Sequence, residues 1–549
     1  MSDTGRGAVC LQPPVGWRVP RPVRPAERLQ RLHRRPRVHG AGPGAVSGDH
    51  GRSAAGTGGY AADCQWPGRA ERRSTWRGRS GAPRVDGGGG LVTSGVDRSR
   101  LPEPGPVASV RFPSVQAIRL SNGLAVRTVE HPGPPLVTFL LTMPAGSASD
   151  PAGRAGLAAL TADLFDEGSE GRTALELHGA LDRIGARFGT GVGTDATTVS
   201  LTTLSRHAAA GLALLAEIVA RPRFDEADVA RVRELRRSRL RQLRTVPGAV
   251  ADRVYLETLY PAHPYGHLGI GTDVSLAALT VEHVRQFHRD AYQLGTATLI
   301  AVGALTHDRF VEAAERAFGE VPVCPPDDAV VVDPAGLPAP GSPSARLVLV
   351  DRPGAVQSEL RVGHVAAARH TPDYYALQLL NMTLGGQFVS RLNLSLREEK
   401  GYTYGVRTAF DCRRAPGPFA MQGSVQTGAT VEALQEIIGQ IEAIGGHRPV
   451  TPAELDLARA ALTRGFARGF ETAGQVARAV AQQVLHGLPK DYYDRFVANV
   501  EAVDAPAVTA AATAHLHADR AVVVVVGPAD DVASGLRVLG LGEPTRVEP

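Results

Sequence analysis

The sequence predicts an α+β protein of two related domains, each an antiparallel sheet packed with helices. Three observations carry this. The 549 residues exceed what one hydrophobic core serves, so two or more domains are expected. From about residue 110 onward a regular succession of strands and helices appears, and it occurs twice. Between the copies lies D-P-A-G-L-P-A-P-G-S-P-S (333–344), whose Pro and Gly content reads as a linker. The expected limits are 110–332 for the first domain and 345–540 for the second.

Each copy opens with strands rich in β-branched and apolar residues. In the first they are L-A-V-R-T-V-E (124–130) and L-V-T-F-L-L-T (136–142); in the second, R-L-V-L-V-D (346–351) and S-E-L-R-V-G-H (358–364). A helix follows in each, then further strands and two more helices. The helical pairs match best: L-A-L-L-A-E-I-V-A-R-P-R-F-D-E-A-D-V-A-R-V-R (212–233) resembles L-Q-E-I-I-G-Q-I-E-A-I-G-G-H-R-P-V-T-P-A-E-L-D-L-A-R (434–459). In both, one helix ends, a turn with Pro intervenes, and a second helix starts at a cap. Asp225 with Asp228 supplies one cap; Thr451 with Glu454 forms a capping box, with Pro452 at the first helical position. The copies lie about 225 residues apart, which indicates a duplicated domain and not a solenoid unit. A-V-V-V-V-V (521–526) reads as a buried strand, far short of the roughly 18 apolar residues that cross a bilayer.

Charge is spread unevenly. Residues 1–91 hold 16 Arg, no Lys and six acids, while the remainder is slightly acidic, so the basic overall balance describes the head and not the body. No nucleic-acid partner and no membrane span are expected. The head is crowded with Arg, Gly and Pro and has no sustained period, so it cannot bury enough apolar surface to offset ordering. With only two Lys in the chain, at 400 and 490, it also fits an over-extended reading frame, which places the expected biological start near Val92. Cysteines stand at 10, 64, 324 and 412 without metal or disulfide spacing, so a reducing cytoplasm is expected.

Several motifs remain: L-S-N-G-L (120–124), G-L-A-A-L-T-A-D-L-F-D-E-G-S-E-G-R-T (156–173), H-P-Y-G (263–266), V-D-R-P-G-A-V-Q-S-E-L (350–360) and L-G-G-Q-F-V-S-R-L-N-L-S-L-R-E-E-K-G-Y-T-Y-G-V (384–406). In this order and spacing, residues 110–540 resemble the pitrilysin and mitochondrial-processing-peptidase (insulinase-like) family of zinc metallopeptidases in its bacterial two-domain form. The resemblance implies the processing-peptidase (LuxS-like) metallohydrolase fold. It also implies H-x-x-E-H on the first helix and a distal Glu roughly 75 residues on. Two His at i and i+4 share a helical face, and the Glu between them can take a proton from a zinc-bound water.

Here the equivalent positions are Ala159, Ala162 and Asp163, so both imidazoles and the base are gone. The segment for the distal carboxylate, R-E-L-R-R-S-R-L-R-Q-L-R (233–244), has Glu234 as its only acid. Such a cationic segment holds a dication poorly. Leu157, Leu160, Leu164 and Phe165 are expected to stay as packing residues. Asp163, Asp166 and Glu167 at i, i+3 and i+4 suggest an oxygen-ligand site for Mg or Ca, against which stands the ordinary solvation of acidic helix ends. His263 and His267 invite a zinc reading that the intervening Pro opposes, and His515 and His517 read as surface residues. No metal site and no catalytic residue are assigned to this chain.

In the second domain the resemblance implies a substrate-binding pair, Arg397 and Tyr404, seven residues apart. Guanidinium and phenol donate hydrogen bonds to a peptide carbonyl and can stabilise an oxyanion. The plainer alternatives are an ion pair of Arg397 with Glu398 or Glu399 and a packing role for the Tyr. Tyr402 stands where the family has an aliphatic residue. Gly385 and Gly386 fit a substrate-contact loop or a plain turn. The expected function is a non-catalytic, substrate-binding subunit of a heterodimeric zinc metallopeptidase. It would have no cofactor of its own, zinc held by an H-x-x-E-H partner subunit, and peptides as substrate. A structural subunit like the core proteins of respiratory complexes, or a homodimeric peptide-binding module, are the other classes.

Overall fold

The computed structural model describes Gly105, residues 111–323 and residues 337–548. The basic head, the start near Val92 and the first part of the 333–344 linker lie outside the described residues. Two six-stranded sheets carry the fold. The first contains β1 (Gln116–Arg119), β2 (Ala125–Glu130), β3 (Leu136–Met143), β4 (Arg187–Val192), β5 (Thr197–Leu204) and β6 (Thr298–Gly303). The second contains β7 (Leu347–Asp351), β8 (Gln357–Val365), β9 (Val406–Phe410), β10 (Pro418–Gln426), β11 (Val522–Gly527) and β12 (Thr545–Val547).

The strand orders are β1-β2-β6-β3-β5-β4 and β12-β7-β11-β8-β10-β9, so the sheets correspond strand for strand. Pairing is antiparallel except for β2 with β6, β7 with β11 and β7 with β12, which are parallel. The two six-stranded sheets differ at one edge. There, β1 forms a hairpin with β2, whereas β12 returns from the end of the chain, past the expected domain limit at 540. L-S-N-G-L is that hairpin. Gly123 takes φ 95°, which L side chains rarely adopt, and the Asn122 amide donates to the carbonyls of Phe318 (2.7 Å) and Val321 (2.9 Å).

The described helices include α1 (Leu157–Asp163), α2 (Ala208–Ala220), α3 (Glu226–Arg244), α4 (Pro247–Leu259), α5 (Tyr374–Asn381), α6 (Thr430–Ile444), α7 (Pro452–Arg464) and α8 (Ala473–Leu485). The caps form as the residues dictate. Asp225 accepts the Ala227 N–H at 3.0 Å, and the Thr451 hydroxyl accepts the Glu454 N–H at 3.3 Å while the Glu454 carboxylate accepts the Thr451 N–H at 2.9 Å.

Each sheet buries one face against helices of its own half, and the other face against a helix from the opposite half. Val129, Leu140, Ile300 and Val302 of the first sheet pack on Val476, Ala477, Val480 and Ala481 of α8. Val348, Val350, Val522, Val524 and Val526 of the second pack on Val250, Ala251, Val254 and Leu259 of α4. This reciprocal cover explains why the run at 521–526 is apolar without alternation, since both faces of β11 are inside.

Buried tyrosines stitch the halves together. The Tyr255 hydroxyl donates to the Phe419 carbonyl (2.6 Å) and the Tyr260 hydroxyl to the Pro416 carbonyl (3.0 Å). Tyr265 donates to Asp195 Oδ1 (2.6 Å) and accepts the Ala415 N–H (3.2 Å), while Asp195 Oδ2 accepts the Arg414 N–H (2.8 Å). H-P-Y-G is therefore a structural turn. His263 is buried, its Nδ1 accepts the Tyr265 N–H at 3.0 Å, and a Cβ on Gly266 would stand 2.2 Å from the Tyr260 carbonyl oxygen.

Candidate functional site

Helix α1 is short and pinned at both ends. At its start, Asp150 accepts the Gly156 and Ala158 N–H groups, each at 2.7 Å, from a side chain only 1% exposed. A carboxylate there answers the free N–H groups and the positive end of the helix. His267 Nε2 lies 3.1 Å from the same carboxylate, so the second histidine of H-P-Y-G-H is engaged in holding α1. Gly156 takes φ 94°, and a Cβ on it would stand 2.9 Å from the Gly271 Cα and the Ile270 carbonyl oxygen, so the helix start lies against the 269–271 segment. Leu157, Leu160, Leu164 and Phe165 are all buried, the packing face expected of them.

The three metal-motif positions do not fit zinc. Ala159 and Ala162 carry no donor atom and are buried. Asp163 is bound by Arg236 Nη1, whose Nη2 also donates to the Gly269 carbonyl at 2.9 Å. Arg236 comes from α3, within the segment that the resemblance assigns to the distal carboxylate. Glu234, the only acid there, sits elsewhere, exposed between Arg237 (3.2 Å) and Arg241 (2.8 Å).

The acidic residues that follow α1 are likewise met by basic side chains. Arg231 binds Glu167, and His178 lies 3.7 Å from Asp166. Burial raises the Asp166 carboxyl above its usual range, His178 opposes that shift, and Glu167 and Asp163 add to it. No group of three His, Cys, Asp or Glu able to hold a metal occurs among the described residues. His515 pairs with Asp373 at 2.7 Å, and the His517 N–H donates to His364 Nε2 at 3.0 Å, so both serve structure.

In the second half, the segment after α5 is locked from below. A Cβ on Gly385 would meet Thr408 of β9 at 2.7 Å and one on Gly386 would meet Asn381 at 2.6 Å, so these glycines permit close packing within the fold. Arg391 is buried and donates to Glu454 (2.6 and 2.8 Å), to the Arg448 carbonyl (2.6 Å) and to the Pro449 carbonyl (2.8 Å). Asn393 donates to the carbonyls of Gln387 and Val406, both at 3.0 Å, and accepts the Val406 N–H at 2.9 Å.

On this base stand the two predicted residues. The Arg397 guanidinium lies 3.9 Å from the centroid of the Phe388 ring and 3.3 Å from the Glu398 carboxylate. Tyr402 packs on the core, whereas Tyr404 is 94% exposed. No hydrogen bond joins Arg397 and Tyr404 to each other. Phe388, 63% exposed beside Arg397, was not singled out by the sequence, since one aromatic in a loop has no period to mark it. Arg236 was also missed, although it shares the helical face of the buried Val229, Val232 and Leu240, a spacing that marks it as inward-facing.

Fold and site together define a two-domain peptidase-type scaffold whose metal positions are filled by apolar residues and an internal ion pair. The insulinase (peptidase family M16) model matches residues 125–271, and the peptidase M16 inactive domain model matches residues 278–462. The chain belongs to this insulinase-like M16 peptidase family. The inactive-domain match lies wholly outside the α1 region, so the loss of donors in α1 is a separate feature of this chain.

An uncharacterised zinc protease of Mycobacterium tuberculosis is 24% identical over 435 residues, 78% of this chain and 96% of that protein. A probable mitochondrial-processing peptidase subunit beta of Schizosaccharomyces pombe is 26% identical over 218 residues, 39% of this chain and 47% of that protein. A crystal structure of a peptidase M16 inactive domain from Pseudomonas fluorescens is similar with a TM-score of 0.70 at 28% identity, covering 76% of this chain and 98% of that one.

Proposed function

We propose that this chain is the non-catalytic, substrate-binding subunit of a heterodimeric zinc metallopeptidase acting on peptides or unfolded segments in the cytoplasm. The observation that carries the reading is a contrast between its two halves. In the first, Ala159, Ala162 and the Arg236-bound Asp163 leave nothing to activate a water. In the second, Arg397 and Tyr404 stand on a rigidly tied segment with the phenol open to solvent. An H-x-x-E-H homologue would hold the zinc, and Arg397 and Tyr404 would bind the peptide carbonyl near it. The outer strand β4 offers an edge on which an extended peptide can pair. The cytoplasmic assignment rests on the scarcity of cysteines and their lack of disulfide spacing; no described helix is long and apolar enough to cross a membrane.

The test mixes the full chain with an H-x-x-E-H homologue from the same genome and a quenched fluorescent peptide, with zinc present. Only the mixture should cleave, and native mass spectrometry should show a one-to-one complex. Arg397→Ala and Tyr404→Phe should lower kcat/KM about 10- to 100-fold with assembly intact. Chelator-sensitive cleavage by this chain alone would overturn the reading. Full activity of both variants would point to a scaffold role, and a complex of this chain only with itself to a peptide-binding homodimer.

A further inference from the structure

The disagreement between the family's metal and this site has a positive content. Asp163 keeps a negative charge at the third motif position, 43% exposed, and the group that answers it is a side chain of the same protein. Arg236 is only 13% exposed, and it reaches two elements at once, the end of α1 through Asp163 and the 269–271 segment through the Gly269 carbonyl. That segment is the one against which the start of α1 is packed at Gly156. One guanidinium thus ties α3 to α1 and to its neighbouring loop.

We propose that Arg236 is a built-in cation. It cross-links α1, α3 and the 269–271 segment in place of a bound ion and bars divalent metals from this site. A guanidinium suits the task. It stays charged at any physiological pH, its fork of donors serves two acceptors, and it is present at full occupancy whatever the metal supply. It also repels a dication across a few ångströms of partly buried space. Of the three carboxylates at this end of α1, only Asp163 is served from so enclosed a position; Glu167 is met by Arg231, which is itself exposed.

Cobalt(II), whose visible absorption reports tetrahedral binding, is the probe, with circular dichroism melting as a second measurement. The full chain should take up no stoichiometric cobalt, and its Tm should not change with chelator. Ala159→His/Ala162→Glu/Asp163→His should still bind cobalt at least tenfold more weakly than the same protein carrying Arg236→Glu as well. Arg236→Ala should lower Tm by about 4 °C, and Asp163→Ala/Arg236→Ala should recover part of that, because the stranded carboxylate is gone. Tight cobalt binding by the unmodified chain, equal binding by the triple and quadruple variants, or a chelator-dependent Tm would overturn the proposal. If the multiple variants do not fold, the Arg236→Ala and double-alanine comparison decides: an unchanged Tm in the first, or no recovery in the second, refutes the cross-link.

Discussion

Tyr265→Phe isolates one hydroxyl that joins the two halves. The ring is fully buried, and Arg413 lies 4.8 Å from its centroid, a contact that phenylalanine keeps. What is lost is the 2.6 Å bond donated to the Asp195 carboxylate and the acceptor for the Ala415 N–H at 3.2 Å. A hydrogen bond to a charged group contributes about 1.5–3 kcal/mol, and a buried N–H left alone costs about 1–3 kcal/mol. Asp195 keeps the Arg414 N–H on its other oxygen, so partial relaxation brings the expected loss to about 3 kcal/mol. Burial, with Asp195 beside it, raises the phenol above its usual range, so the proton stays on Oη and the loss is the same from pH 6 to pH 9. Urea unfolding followed by far-UV circular dichroism measures it. A cycle with Asp195→Asn should give a coupling of about 1.5 kcal/mol. A loss below about 0.5 kcal/mol at unchanged m-value, or no coupling, would refute the assignment of H-P-Y-G as the polar link between halves.

Two further outcomes rest on burial. Val480→Ala in α8 removes two methyl groups from the outer face of the first sheet and should cost about 2 kcal/mol in urea unfolding; a neutral result would mean that α8 does not seal that face. His364 is held neutral, with Nε2 accepting the His517 N–H and Nδ1 donating to the Val365 carbonyl, and burial takes its pKa down to about 4. Because the unfolded chain binds this proton near pH 6.5 and the native state only near 4, the stabilisation is complete above about pH 6.5 and is lost as pH falls toward 4. Its size is about 3 kcal/mol, His486 adds in the same direction, and a urea midpoint that stays constant from pH 7 to pH 5 would contradict it.

The features legible in the sequence are local ones. Thr451, Pro452 and Glu454 announce a helix start because capping is decided within four residues, and the valine run announces a buried strand because length and composition suffice. The duplication was legible because both copies repeat the same local signals. The reciprocal exchange of α4 and α8 was not, since nothing in either helix says which sheet its apolar face meets. Arg236 lay hidden for a related reason. Seven arginines crowd α3, all chemically alike, and only the turn of the helix and the place of α1 decide which of them points inward. The absence of zinc donors was plain from three letters; the partner of Asp163 depends on how α3 packs against α1.

The second half acts as an internal control on what the scaffold requires. Helix α5 follows β8 as α1 follows β3, in a sheet of the same strand order, and its sequence Y-Y-A-L-Q-L-L-N holds neither a metal donor of the family motif nor an ionised side chain. Its Ala376, Leu377, Leu379 and Leu380 are buried, Arg369 lies 3.5 Å from the Tyr374 ring centroid, and no carboxylate within the helix calls for a counter-charge. In α1 the same is true of every motif position but one: Ala159 and Ala162 have joined the packing, and Asp163 has not. The need for a cation in the first half therefore comes from Asp163 and not from the fold. Scaffold and chemistry use different faces of one short helix. A chain can lose the donors of the second while keeping the leucines of the first, provided any charge left behind finds a partner, and here Arg236 is that partner.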